Sequence, residues 1–115
     1  LHSVIDALLG ANAKGDIGKF FPPLKKYKNI SSSELLNKIK NKIDLDNSII
    51  INLDITIICQ KIRLEKYKAP IKNNLSKLLK CNKNLINIKG KTADKIGIFG
   101  KSEAIGCWAT INLIN

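Results

Sequence analysis

Methionine is absent from the 115 residues and the first is Leu1. The expectation is a piece of a longer translation product, a single domain over 1–115 lacking its N-terminal part. Arginine occurs once, as Arg63, among 20 basic residues. That scarcity argues against a reader of base edges, because the planar guanidinium fork suits guanine and phosphate bidentately and an ammonium does not. The six aromatics (Phe20, Phe21, Tyr27, Tyr67, Phe99, Trp108) form no series interleaved with lysine on which bases could stack. Cys59, Cys81 and Cys107 are odd in number and include no Cys-x-x-Cys pair, which argues against a disulfide framework and for a reducing compartment. No apolar run approaches the ~20 residues of a membrane span. A hydrophobic fraction of 44% excludes a disordered chain.

What is abundant is lysine: nineteen residues, against nine acidic ones, for a net charge of +11. Such a surplus raises nucleic acid, anionic lipid or a polyanionic small molecule as partners. Spread along the chain without aromatics, it reads first as a solvated surface, one fully compatible with a phosphate site. Lysine, isoleucine and asparagine enriched together suggest the codon bias of an A+T-rich genome.

Hydrophobic spacing predicts a helix over 1–13 with Leu1, Val4, Ile5 and Leu8 on one face. Gly15 to Pro23 follows as an irregular loop. Ser31-Ser-Ser-Glu34 fits a capping box before a stripe of Leu35, Leu36, Ile39 and Ile43. Ile51, Leu53, Ile55 and Ile57 alternate with polar residues as a half-buried strand. Residues 59–68 read as a charged connection, and Pro70 as the first residue of a helix with Ile71, Leu75, Leu78 and Leu79 inward. Ile86 and Ile88 suggest a second strand, 90–106 a glycine-rich loop, and Ile105 to Leu113 a last strand with Trp108 on its other face. This order predicts an α+β domain, a mixed sheet with helices on one face. The uncovered face calls for another cover, which a partner subunit would supply.

Three clusters offer chemistry. His2 and Asp6, one helical turn apart, could bind a metal or share a proton, although a zinc site needs three or four ligands and a surface histidine is the commoner finding. In Gly15-Asp16-Ile17-Gly18 a carboxylate between glycines could accept from ribose hydroxyls, with a plain turn as the competing reading. Lys89 to Lys95 sets lysines, a hydroxyl and a carboxylate after a strand, an inventory that suits a diphosphate and a divalent cation. It lacks the spacing of a nucleoside-triphosphate loop, and a solvated charged loop remains the alternative.

Taken in order, Leu1-His-Ser-Val-Ile-Asp-Ala-Leu-Leu-Gly-Ala11, Gly15-Asp-Ile-Gly-Lys-Phe-Phe-Pro22, Asp54-Ile-Thr-Ile-Ile-Cys-Gln60 and Lys91-Thr-Ala-Asp-Lys-Ile96 closely resemble the 2-C-methyl-D-erythritol 2,4-cyclodiphosphate synthase family of non-mevalonate isoprenoid biosynthesis. The resemblance runs through nearly the whole chain; the family's upstream Asp-x-His metal motif precedes its first residue.

The resemblance implies a phosphorus–oxygen lyase. In its reaction the 2-phosphate of 4-diphosphocytidyl-2-C-methyl-D-erythritol 2-phosphate attacks the β-phosphorus and cytidine monophosphate leaves. It implies zinc at His2, and magnesium or manganese at Asp94, where most members have Glu. Asp16, Ile17 and Gly18 would hold the ribose, and Phe21 and Pro22 would open the stretch facing the methylerythritol. The stretch Cys59, Gln60, Lys61, Ile62, Arg63, Leu64 and Glu65 would shape the cytosine pocket. Thr92 would stabilise the transition state, and Lys91, Ala93 and Ile98 complete the substrate-facing set with Lys101, which replaces a frequent Arg. Pro23-Leu24-Lys25 departs from the family's acidic pattern. The family implies a homotrimer with active sites between subunits, with an isoprenoid diphosphate on its axis left open, and no nucleic-acid or membrane partner. Pathway and composition together point to a plastid-type organelle such as the apicoplast, with a bacterial cytoplasm as the alternative. The competing function is a basic module binding nucleic acid or anionic lipid.

Overall fold

The computed structural model describes all 115 residues, Leu1–Asn115. Its backbone groups into two compact units, one of residues 1–51 with 111–115 and one of 52–110. The helices are α1 (His2–Ala11), α2 (Ile17–Phe20), α3 (Ser32–Lys42), α4 (Glu65–Leu79) and α5 (Gly97–Gly100). The strands β1 (Ile49–Ile58), β2 (Ile86–Lys91) and β3 (Gly106–Ile114) form a small mixed sheet in the order β2-β1-β3. No helix is long and apolar enough to cross a membrane.

In the first unit, α1 buries Val4, Ile5, Leu8 and Leu9, the i, i+1, i+4, i+5 face of an amphipathic helix. The helix ends at Ala11 rather than 13; Asn12 caps it, its side-chain amide donating to Leu8 O at 2.8 Å. The start of α3 is the expected capping box: Ser31 Oγ accepts from Glu34 N, and Glu34 Oε2 accepts from Ser31 N, both at 3.2 Å. Leu35, Leu36 and Ile39 then fall on the buried face, against α1.

In the second unit, β1 and β2 run parallel with Leu53 opposite Ile86 and Ile55 opposite Ile88, all four buried. A parallel pair needs a crossover, and α4 provides it, packing on β2 through Leu75 and Leu79. That helix starts at Glu65, not at Pro70, which lies inside it. The proline lacks the N–H that would bond back to the Lys66 carbonyl, so the helix gives up one internal hydrogen bond there. The charged connection is correspondingly shorter than 59–68.

Burial alternates from Asn52 to Thr56 but fails before it. Ile50 is buried and Ile51 is 46% exposed, so two successive residues, Ile51 and Asn52, face out before Leu53 turns in. On β3, Ile111 is buried, but Ile105 and Cys107, expected on the same covered face, are exposed. Gly106 is buried because Trp108 and Phe99 lie over its backbone; a Cβ there would come 2.9 Å from the indole.

Candidate functional site

The loop after α1 is built by three groups of its own unit. Gly15 sits at φ +92°, a conformation that side chains with a Cβ resist. Asp16 is the N-cap of α2, its Oδ1 accepting from Lys19 N at 2.9 Å. Asp6 Oδ1 accepts from Ile17 N at 2.8 Å, so its carboxylate ties α1 to this loop. That bond uses one carboxylate oxygen and leaves Oδ2 uncommitted. His2, exposed, lies on the rim of a cavity of about 490 Å³ whose wall includes Ile17, Gly18, Phe21, Pro22 and Leu35. Phe21 meets Tyr27 edge to face at 5.3 Å, which fixes the aromatic side of that cavity. Asp16 is outside the lining, held at the cap.

The second unit carries its own cavity of about 470 Å³. All of Cys59, Gln60, Lys61, Ile62, Arg63, Leu64 and Glu65 line it, together with Lys91 and Thr92 from the end of β2. The two chain segments are joined at the base: Cys59 N donates to Lys91 O at 2.9 Å. Lys61, Arg63, Lys68 and Lys91 outnumber Glu65, so the wall is cationic, and Glu65 is itself paired with Lys68 at 2.7 Å. Gly90 also lines the cavity; a Cβ at that position would come within 3.1 Å of the Leu64 side chain.

Beyond Lys91 the backbone reverses. Asp94 and Lys95 have φ of +50° and +63°, and Ile96 N donates to Ala93 O at 2.9 Å, the pattern of a type I′ turn. An aspartate visits this region more readily than a glutamate, which gives a backbone reason for Asp at position 94. Thr92 Oγ1 donates to Asp94 Oδ1 across a long 3.4 Å, bringing hydroxyl and carboxylate together. Gly100 closes the turn from behind: a Cβ there would lie 2.2 Å from the Lys95 carbonyl carbon. Ile98 and Lys101 are exposed on and just after α5 and take no part in the cavity lining.

Lys68 and Gly90 are lining residues that spacing alone did not single out. The signal for Lys68 was present as Glu65-x-x-Lys68, but it reads as an i, i+3 pair only once the helix is started at Glu65.

No three His, Cys, Asp or Glu side chains gather where they could hold a metal ion. For zinc this chain offers a single imidazole, so its residues alone do not fit that ion. Asp94 differs, since an exposed carboxylate beside a cavity is what a magnesium or manganese ion shared with phosphate oxygens uses.

A family model described as the YgbB family matches residues 1–114. The chain belongs to the YgbB family. Among relatives of this YgbB chain, the 2-C-methyl-D-erythritol 2,4-cyclodiphosphate synthase of Buchnera aphidicola subsp. Acyrthosiphon pisum is 50% identical over 115 residues, 99% of this chain and 71% of that protein. The bifunctional enzyme IspD/IspF of Aliarcobacter butzleri is 47% identical over 106 residues, 91% of this chain and 28% of that protein. The chain thus spans under a third of the bifunctional relatives' length. A solved structure of Plasmodium falciparum IspF in complex with CDP superposes with a TM-score of 0.85 at 37% identity, covering 98% of this chain and 68% of that one. The α+β fold is shared with that structure.

Proposed function

We propose that the protein containing this chain is a 2-C-methyl-D-erythritol 2,4-cyclodiphosphate synthase. The observation that carries the reading is the cationic cavity in which the whole segment Cys59–Glu65 meets Lys91 and Thr92. A cytidine diphosphate ester needs a shaped slot for its base and positive charge for its phosphates, and this cavity combines them. The reaction asks for little covalent chemistry: the attacking 2-phosphate is already an anion, so no general base is needed. Positioning and charge neutralisation supply the acceleration.

In this reading Lys91, with Lys61 and Arg63, attracts the diphosphate, and the Thr92 hydroxyl donates to phosphate oxygen where charge develops. Asp94 holds magnesium or manganese, which when bound withdraws charge from the phosphates. In the first unit Asp16 spends one carboxylate oxygen on its cap and offers the other to ribose hydroxyls, while Phe21 and Pro22 face the methylerythritol. Ile17 and Gly18 bring the loop backbone close to the sugar; Ala93, Ile98 and Lys101 stand nearer the diphosphate end. His2 would contribute one ligand to zinc, with the others supplied by residues outside this sequence.

Exposed Ile96, Ile98, Ile105 and Trp108, 55–76% accessible, support assembly with further copies, a homotrimer in this proposal. An isoprenoid diphosphate on the trimer axis stays an open part of it. Relatives at 46–50% identity are bacterial, which favours a bacterial cytoplasm and gives a plastid-type organelle no support. The basic binding-module alternative gains no support from them either.

The test is incubation of the intact protein with the cytidine substrate and a divalent cation, reading cytidine monophosphate release and bound zinc. Release of the nucleotide, with about one zinc per subunit that His2→Ala abolishes, is expected. An intact, metal-loaded protein that releases none would overturn the reading.

A further inference from the structure

The family resemblance places Gln60 among the residues that shape the base pocket. Its side chain has a second, more specific task. Oε1 accepts from Ala93 N at 3.1 Å and from Lys95 N at 3.2 Å, thirty-three and thirty-five residues along the chain. Two N–H groups converging on one atom identify it as the carbonyl oxygen, whose two lone pairs are then both used. The donors flank Asp94 on either side. The oxygen therefore holds the type I′ turn across its positive-φ pair, where two residues other than glycine resist their conformation. Gly100 closes against the Lys95 backbone from behind. The turn that presents Thr92 and Asp94 is held between a carboxamide and a glycine.

We propose that Gln60 is a positioning residue: its carboxamide oxygen fixes the turn carrying Thr92 and Asp94, and thereby couples occupancy of the Cys59–Glu65 pocket to the geometry of the phosphate-facing loop. The catalytic part of this rests on the synthase reading; the brace itself rests on the two hydrogen bonds. Because Gln60 lines the same cavity as Lys61 and Arg63, a base entering the pocket presses on the segment that anchors the oxygen. Binding energy from the nucleoside end would then be used to order the reacting end, as remote binding energy is in other enzymes.

The experiment compares the intact protein with Gln60→Met, which keeps length and removes the acceptor, and Gln60→Glu, which keeps an acceptor oxygen. Amide exchange over residues 92–96 is followed without and with cytidine diphosphate as probe, and turnover is split into kcat and KM. In the unsubstituted protein, cytidine diphosphate should slow exchange at Ala93 and Lys95. Gln60→Met should raise their exchange about tenfold or more and abolish the nucleotide's effect, with kcat falling about 10- to 100-fold and KM changing little. Gln60→Glu should restore most of the protection and more of kcat than Gln60→Met.

A folded Gln60→Met protein with unchanged exchange at both amides overturns the brace. A rise confined to KM overturns the positioning role in favour of a direct base contact. Should the unsubstituted protein show protected amides but no turnover, the synthase reading fails while the brace stands.

Discussion

At the scale of single residues, Asp54 shows how a strand's polar face is organised. It lies on β1 opposite Asn87, whose amide donates to Oδ1 at 2.8 Å, while the Lys89 ammonium donates to Oδ2. The lysine's hydrogen bond, and after it the amide's, hold the Asp54 carboxyl below its ordinary value of 3.8. A carboxyl whose folded pKa is depressed adds stability that is present above the unfolded value and lost as pH falls through the folded one. The contribution is therefore intact at neutral pH and disappears from about pH 4 downward. Both side chains are more than a third accessible, so water and salt screen the pair and the effect is modest. In urea titrations from pH 7 to pH 2, the unsubstituted chain should lose stability more steeply below pH 4 than Asp54→Asn, and the two curves should converge at the acid end. Parallel curves would show that the pair adds nothing.

At the scale of elements, local signals were legible wherever one short stretch decides its own structure. The capping box of Ser31 and Glu34, the amphipathic faces of α1 and α3, and the alternation of Leu53, Ile55, Ile86 and Ile88 depend on neighbours within a few residues. The failures have a common cause in longer-range requirements. Nothing near Pro70 reveals that α4 gains a turn and more by starting at Glu65, and nothing in Ile49-Ile50-Ile51 tells which isoleucine faces in. The candidate site was legible as two segments, Cys59–Glu65 and Lys91–Asp94, but their junction through Gln60 was not, because it joins residues far apart in sequence. The joint between the 93–96 turn and α5 yields a test of that kind of contact. Gly100→Ala pushes a methyl into the Lys95 backbone, which cannot swing aside as a side chain would, and should cost about 3 kcal/mol or more. Gly97→Ala meets open space and has only its φ of +67° to resist it, about 1 kcal/mol. Urea midpoints of the two variants should differ in that order; equal losses would mean that the turn yields to Gly100→Ala without strain.

At the scale of the whole molecule, charge is the dominant unbalanced quantity. Twenty basic side chains against nine acidic ones leave +11 on 115 residues, and excess like charge destabilises a compact state through self-repulsion. Local pairs such as Glu65 with Lys68 relieve this only where they form, and an exposed pair is worth little. Lys61, Arg63, Lys68 and Lys91 around the cavity of the second unit belong to the same surplus, and they repel one another when no anion lies between them. Raising sodium chloride from 0.1 M to 1 M shortens the screening length from about 10 Å to about 3 Å. The thermal midpoint should therefore rise by several degrees over that range, where a charge-balanced domain would change little. Chloride is the informative salt, because sulfate also strengthens apolar burial by exclusion and would raise the midpoint whatever the charge. Cytidine diphosphate at millimolar concentration in low salt should raise it further than an equal ionic strength of chloride, because a ligand bound to the folded state alone adds its own stabilisation. A midpoint indifferent to chloride would mean that the lysines are far enough apart, or well enough paired, for their repulsion not to matter. In the proposed synthase the cationic cavity would then have to attract phosphates by local contacts alone.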